Sequence, residues 1–182
     1  EAYFGKYPNI IRKNRTSIAV LDGMETKEQL AHLADDAMLF FGLGCRNVSK
    51  VFVKNQEQLT QLLDAIQSFE WVANHHKYFN NYEYNKSIYL VNGNPHLDNG
   101  FLLLKESTDL VSPIGVLFYE IYEDDFELQS KLSALASQIQ CVVGSSILGL
   151  PGIIPFGQTQ CPAPWDYADG VDTLQFLSGL GV

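Results

Sequence analysis

Ser17-Ile18-Ala19-Val20-Leu21-Asp22-Gly23 is a short apolar run closed by a turn dipeptide, the mark of a buried strand. Thr26 and Gln29 follow, three residues apart, in the pattern of a capping box that opens a helix. Leu30, Leu33, Ala34, Ala37, Met38 and Phe41 then recur at helical spacing. Gly42 is the expected stop, since glycine takes a left-handed C-terminal conformation at little cost. Beyond Gly42-Leu43-Gly44-Cys45-Arg46 the period changes to two, and Val51-Phe52-Val53 reads as a second strand. Asn55 caps a second amphipathic helix that carries Leu59, Leu62, Leu63, Ile66 and Phe69. A strand–helix–strand–helix order of this kind predicts an α/β fold with a mainly parallel sheet.

The same alternation continues toward the C-terminus. Residues 70–100 are rich in Asn, Tyr and His, and hold a helix that ends near Asn92-Gly93-Asn94-Pro95. Residues 101–104 and 116–121 read as strands. Asp124 and Glu127 open a helix with Leu128, Leu132, Leu135 and Ile139 at helical spacing. Cys141-Val142-Val143 suits a buried strand, residues 149–164 are rich in Gly and Pro, and a short helix spans about 169–177. No repeat or linker divides the chain, so residues 1–182 are expected to form one three-layer αβα domain.

Composition narrows the function. Hydrophobic residues make up 46% of the 182, enough for a core without disulfide or metal staples. Twelve basic against 21 acidic residues give a charge of −9, which argues against nucleic acid and against electrostatic attachment to membranes. No apolar run approaches the roughly 20 residues that span a bilayer. The first residue, Glu1, reads as the start of a segment cut from a longer or processed protein. Cys45, Cys141 and Cys161 are too few for a disulfide framework, and without a Cys-x-x-Cys pair no metal site is expected. An odd cysteine count fits a cytoplasmic protein. Asn14, Asn47 and Asn85 each open a glycosylation triplet, a motif short enough to arise by chance.

Among candidate chemical groups Cys45 stands first. It lies in a glycine-flanked turn, and Arg46 and Lys50 are cations that favour a thiolate. Its other reading is a buried small hydrophobe, the commoner fate of a free cysteine. Cys141 reads as core, and Cys161 as a surface thiol. Gly42-x-Gly44 lacks the third glycine and the strand-to-helix setting of a dinucleotide loop. Neighbouring His75 and His76 would point about 100° apart on a helix and cannot share a metal. His32 and His96 have no readable partner for a catalytic triad.

The stretch Phe40-Phe41-Gly42-Leu43-Gly44-Cys45-Arg46-Asn47-Val48-Ser49-Lys50-Val51-Phe52-Val53 resembles the nucleophile region of the LuxC-type acyl-CoA reductases, a family of the aldehyde dehydrogenase superfamily. Pro155-Phe156-Gly157 resembles that superfamily's proline-phenylalanine-glycine segment. Residues 164–173, Pro-Trp-Asp-Tyr-Ala-Asp-Gly-Val-Asp-Thr, resemble the C-terminal stretch of the reductases. The resemblance implies an aldehyde-dehydrogenase-like catalytic domain with Cys45 as the nucleophile. Gly44 would offer oxyanion support, Arg46 and Lys50 thiolate support, and Asp109 and Phe156 contacts to the cofactor, with Glu106 an alternative acid. It also implies a fatty acyl-CoA substrate and NADPH as hydride donor. The dinucleotide-binding domain would lie N-terminal to this segment, so the chain alone is expected to bind NADPH poorly and to turn over little. A homo-oligomer is compatible with this reading.

One departure from the superfamily bears on the reaction. Its hydrolytic members carry a glutamate base at about the position of residues 13–15, where this chain has Lys13, Asn14 and Arg15. Such a base activates water against the acyl-enzyme, so its absence favours reduction over hydrolysis. The alternative, from another class, is a noncatalytic acyl-binding or protein-interaction domain with Cys45 buried.

Overall fold

The computed structural model describes residues 3, 5–11, 14–145, 152–167 and 170–180. Strand β1 (Thr16–Val20) runs through its centre with all five side chains buried. Helix α1 (Lys27–Met38) follows, and its capping box is formed as the sequence predicts, with Gln29 N donating to Thr26 Oγ1 and Thr26 N to Gln29 Oε1. Strand β2 (Val48–Val53) leads to α2 (Gln56–Ile66), where Asn55 and Gln58 form a second capping box. A 3-10 segment (Gln67–Asn74) joins α2 to α3 (His76–Val91).

Short strands β3 (Leu97–Asp98) and β4 (Leu103–Glu106) precede β5 (Val116–Ile121), α4 (Asp125–Leu135), β6 (Ile139–Gly144), β7 (Ile153–Ile154) and α5 (Thr173–Ser178). The seven strands form one sheet in the order β3-β4-β5-β2-β1-β6-β7. Every pairing is parallel except that of β3 with β4. Ala19, Val51, Val53 and Leu117 face α1 and α2, whereas Ile18, Val20 and Phe52 pack against Leu128 and Leu132 of α4. Helices therefore cover both faces, which is compatible with three layers.

Helix α3 changes faces. Tyr78 joins the core under α1, while Tyr82 and Tyr89 pack on Leu103, Val116 and Phe118 on the opposite side. To do so it passes the amino ends of β4 and β5, where Gly115 has φ +79° and an added Cβ would stand 2.8 Å from Tyr82 Cα. A side chain there would meet helix backbone, so the crossing requires glycine.

Several boundaries differ from those the periodicity predicts. Helix α4 stops at Leu135, a 3-10 turn takes Ala136–Gln138, and Ile139 belongs to β6 instead of the helix. The last helix starts at Thr173, and Asp169 lies outside the described residues. The two-residue strands β3 and β7 are too short to leave a periodic signal. Among the described residues no helix is long and apolar enough to cross a membrane.

Candidate functional site

The first helix does not run on to Gly42. Regular helix ends at Met38, and the next turn is left-handed, with φ 54° at Phe40, 60° at Phe41 and 70° at Gly42. Gly42 does adopt the positive φ that the sequence suggests, but two phenylalanines share it. Each non-glycine residue in that region costs about 1–2 kcal/mol. The turn is held by contacts of Phe41, whose ring centroid lies 4.4 Å from His75, 5.9 Å from Trp71 and 6.0 Å from Tyr78. Strain of this kind persists where the surroundings over-determine the backbone, and it clusters at functional sites.

The strained turn delivers the chain into a second, tight one. Asn47 N donates to Gly44 O at 2.9 Å, which leaves Cys45 and Arg46 at its two corners. Asn47 is only 1% exposed and fixes this turn from inside. Its Oδ1 accepts from Gly44 N at 2.9 Å, and its Nδ2 donates to Leu39 O at 2.8 Å and Asp36 O at 3.0 Å. An added Cβ on Gly44 would stand 2.9 Å from that Oδ1, so close approach requires a glycine here. Gly44 thus shapes the turn, while its own N–H is taken by Asn47.

Cys45 is exposed, which corrects the reading of it as a buried hydrophobe. It lines a cavity of about 740 Å³ together with Gly44, Arg46, Thr16, Ser49 and Ser112. The cavity opens at the amino ends of β1, β2 and β6, whereas ligands of open α/β sheets ordinarily sit beyond the carboxyl ends. The sheet is irregular at this edge. Ser17 pairs with Val48 but Ile18 with Lys50, and Thr16 pairs with Ile139 but Ile18 with Val142. Both neighbours of β1 therefore carry one extra residue level with Ser17, and such bulges re-aim side chains beside active sites. Ser17 Oγ donates to Cys45 O at 3.0 Å. It also meets the buried thiol of Cys141, whose pKa burial raises and the Ser17 hydroxyl draws back.

Arg46 joins Cys45 as the sequence suggests, with Nε donating to Thr159 O. Lys50 does not join them. Its side chain is 0% exposed and its Nζ bonds Glu120 Oε2 at 2.6 Å, so this cation is committed across the sheet to β5. Asp109 stands in an exposed loop beside Ser107, and Val111 and Ser112 reach the cavity in its place. Glu106 is exposed at the end of β4. Phe156 is buried in the core beneath α1 and does not line the Cys45 cavity. Asn47 and Asn85 are buried with their amides bonded, so neither can carry a glycan in the folded chain. Among the described residues no cluster could hold a metal.

No local pattern in the sequence marks Asp36, whose partners are more than 120 residues away. Its carboxylate receives Gly157 N at 2.6 Å, Thr159 N at 3.0 Å and Thr159 Oγ1 at 2.7 Å, tying α1 to the loop after β7. Burial raises its pKa, against the pull of those donors. Because the folded value lies above the unfolded one, this group's contribution to stability declines as pH rises through the window above 3.8. Asp36→Ala leaves three donors without an acceptor and is expected to cost about 2–3 kcal/mol. Hydrogen exchange at Gly157 and Thr159 should quicken selectively, whereas a uniform change across the sheet would contradict a local tie.

Compared with models of known families and with curated proteins, the chain matches none.

Proposed function

We propose that the chain is the acyl-accepting catalytic domain of a fatty acyl-CoA reductase of the LuxC type, with the aldehyde-dehydrogenase-like fold of that superfamily. The observation that carries this reading is the exposed Cys45, held in a tight turn and lining a cavity at the amino ends of the central strands. The strained Phe40–Phe41 backbone, the paired bulges and the buried Asn47 support it, because all three converge on the backbone that places one sulfur. The alternative, a noncatalytic domain, requires a buried Cys45, which the exposed thiol does not favour.

In the acyl-transfer step the Cys45 thiolate attacks the thioester carbonyl, the bond to CoA breaks, and CoA leaves as a thiol with the proton Cys45 gave up. Arg46 lines the same cavity beside Cys45, its Nε donating to Thr159 O. Free backbone N–H groups at the turn are the natural donors to the oxyanion, and Gly44 N, bonded to Asn47, is not among them.

The turn after β1 does not fit the pyrophosphate of NADPH. In the turn after β1, where a doubly wound sheet offers N–H groups to a pyrophosphate, Asp22 N and Gly23 N bond the Glu25 carboxylate at 2.6 and 3.0 Å. An anion already fills that position. Reduction to aldehyde by NADPH belongs to the proposal only through the separate nucleotide-binding domain that the resemblance implies.

Incubation with a long-chain acyl-CoA, read by intact and peptide mass, tests the transfer step. An adduct is expected on Cys45 and absent from Cys45→Ala, with the exposed Cys161 as internal measure of unassisted acylation. Equal labelling of Cys45 and Cys161 would remove the support for a catalytic thiol.

A further inference from the structure

The cavity that holds Cys45 presents more apolar than polar surface, although hydroxyls and a guanidinium line it. Several of those polar groups already spend their protons within the protein. Ser49 Oγ donates its one proton to Leu110 O at 2.6 Å, so Thr16 is the donor in its 2.7 Å bond with Ser49. Arg46 Nε donates to Thr159 O. The apolar surface includes Leu43, 64% exposed, and Val111, 66% exposed, which come from the turn after α1 and the loop before β5. Both are pinned by their neighbours. Leu43 N donates to Phe40 O at 3.2 Å, and Asn47 bonds Gly44 N and Leu39 O on either side of it. Leu110, just before Val111, is buried on the α4 side of the sheet with its carbonyl held by Ser49. Scattered exposed hydrophobic residues need no explanation, but two held by separate segments at one cavity with a thiol do.

We infer that Leu43 and Val111 form the wall against which the alkyl chain of an acyl thioester at Cys45 lies, and that they set a preference for longer acyl groups over acetyl. The inference rests on the reading of Cys45 as the acyl acceptor and adds which residues select the chain. An acyl group on Cys45 starts in the same space as both side chains. Acetyl carries a single methyl beyond its carbonyl, whereas each further methylene covers apolar surface that water otherwise meets. At about 740 Å³ the cavity has the size of sites that enclose whole small ligands, so an alkyl chain has room without leaving it. Because Leu43 and Val111 are exposed, replacing them removes apolar wall without opening the core.

The test compares acetyl-CoA with octanoyl-CoA as acyl donors to the 182-residue chain, with adducts on Cys45 and Cys161 followed by peptide mass. The octanoyl-to-acetyl rate ratio at the exposed Cys161 corrects for the intrinsic reactivity of the two donors. At Cys45 the ratio is expected to exceed that at Cys161 by at least about tenfold, the effect of about two buried methylenes. Leu43→Ser and Val111→Ser, each shown to be folded by circular dichroism, should each lower the Cys45 ratio about fourfold, equivalent to about one methylene. A further measurement depends on no variant: Cys45 acylated with an ω-diazirine octanoyl chain and irradiated should cross-link to the tryptic peptide 106–131, which contains Val111. Faster labelling of Cys45 than of Cys161 by both donors, with equal ratios at the two thiols or no cross-link to that peptide, would overturn the wall and leave acyl transfer intact. A raised Cys45 ratio that either folded variant leaves unchanged would overturn it too. Failure of both donors to label Cys45 above Cys161 would instead overturn the reading of the thiol, and the wall with it.

Discussion

Glu120→Gln should destabilise the folded chain by about 3–5 kcal/mol, the usual cost of stranding one partner of a buried ion pair. Lys50 projects from the middle of β2 with its side chain 0% exposed, and its Nζ lies 2.6 Å from Glu120 Oε2. The Phe52 ring lies 4.9 Å from the ammonium and cannot replace a carboxylate. Lys131 of α4 bonds the other oxygen of Glu120, so the acid holds two cations. Burial depresses the Lys50 pKa, and loss of Glu120 would leave the ammonium to deprotonate or unfold the sheet. Lys50→Met replaces the stem with an apolar one of similar length and is expected to change stability by less than about 1 kcal/mol, or to raise it. Urea unfolding of the two variants decides the point, and a Lys50→Met loss as large as that of Glu120→Gln would contradict it. Burial alone would push the Glu120 carboxyl up, but the bonds and charges of Lys131 and Lys50 hold it below its usual 4.5. A carboxyl lowered in the fold contributes stability above its unfolded value, and that contribution should disappear as pH falls below 4.5 through the folded value.

The contrast between Lys50 and Arg46 marks what spacing can and cannot tell. Both lie within five residues of Cys45 in the chain. Arg46 shares the turn and lines the cavity, but Lys50 stands in a strand, where alternation sends it to the face shared with Phe52 and Phe118. A usable signal was present: one lysine in the apolar run of β2 and one glutamate in that of β5 are opposite charges in candidate neighbouring strands. The two capping boxes, by contrast, were legible because each is complete within four residues. Helical periodicity continued through Phe41, and nothing local announces that Phe40 and Phe41 turn left-handed. Their compensation comes from Trp71, His75 and Tyr78, over 29 residues away. Asp36 was equally opaque, with partners 121 and 123 residues on.

Substitution of Asn47 should affect both stability and the reactivity of Cys45. Its amide closes the Gly44–Asn47 turn, and it bonds two carbonyls, Asp36 O and Leu39 O, at the end of α1. Asn47→Ala removes three hydrogen bonds at a site 1% exposed and is expected to cost about 3 kcal/mol, at about 1 kcal/mol each. With the turn released, Cys45 should lose the excess reactivity toward acyl-CoA that the proposal assigns it and approach that of Cys161. Asn47→Asp separates the roles. One oxygen can still accept from Gly44 N, but the other, in place of Nδ2, faces two carbonyl oxygens and is repelled when ionised. Burial and those carbonyls should raise this carboxyl above its unfolded pKa, so the protonated form, able to donate, is the one the fold accepts. The sign follows: Asn47→Asp should be least stable at neutral pH and should recover relative to wild type as pH falls toward the raised value. Asn47→Ala, with no titrating group, should show no such relative recovery. A pH-independent deficit in Asn47→Asp would mean that the two carbonyl contacts do not govern the turn. Loss of stability in Asn47→Ala with full Cys45 acylation would mean that the turn supports the fold without positioning the thiol.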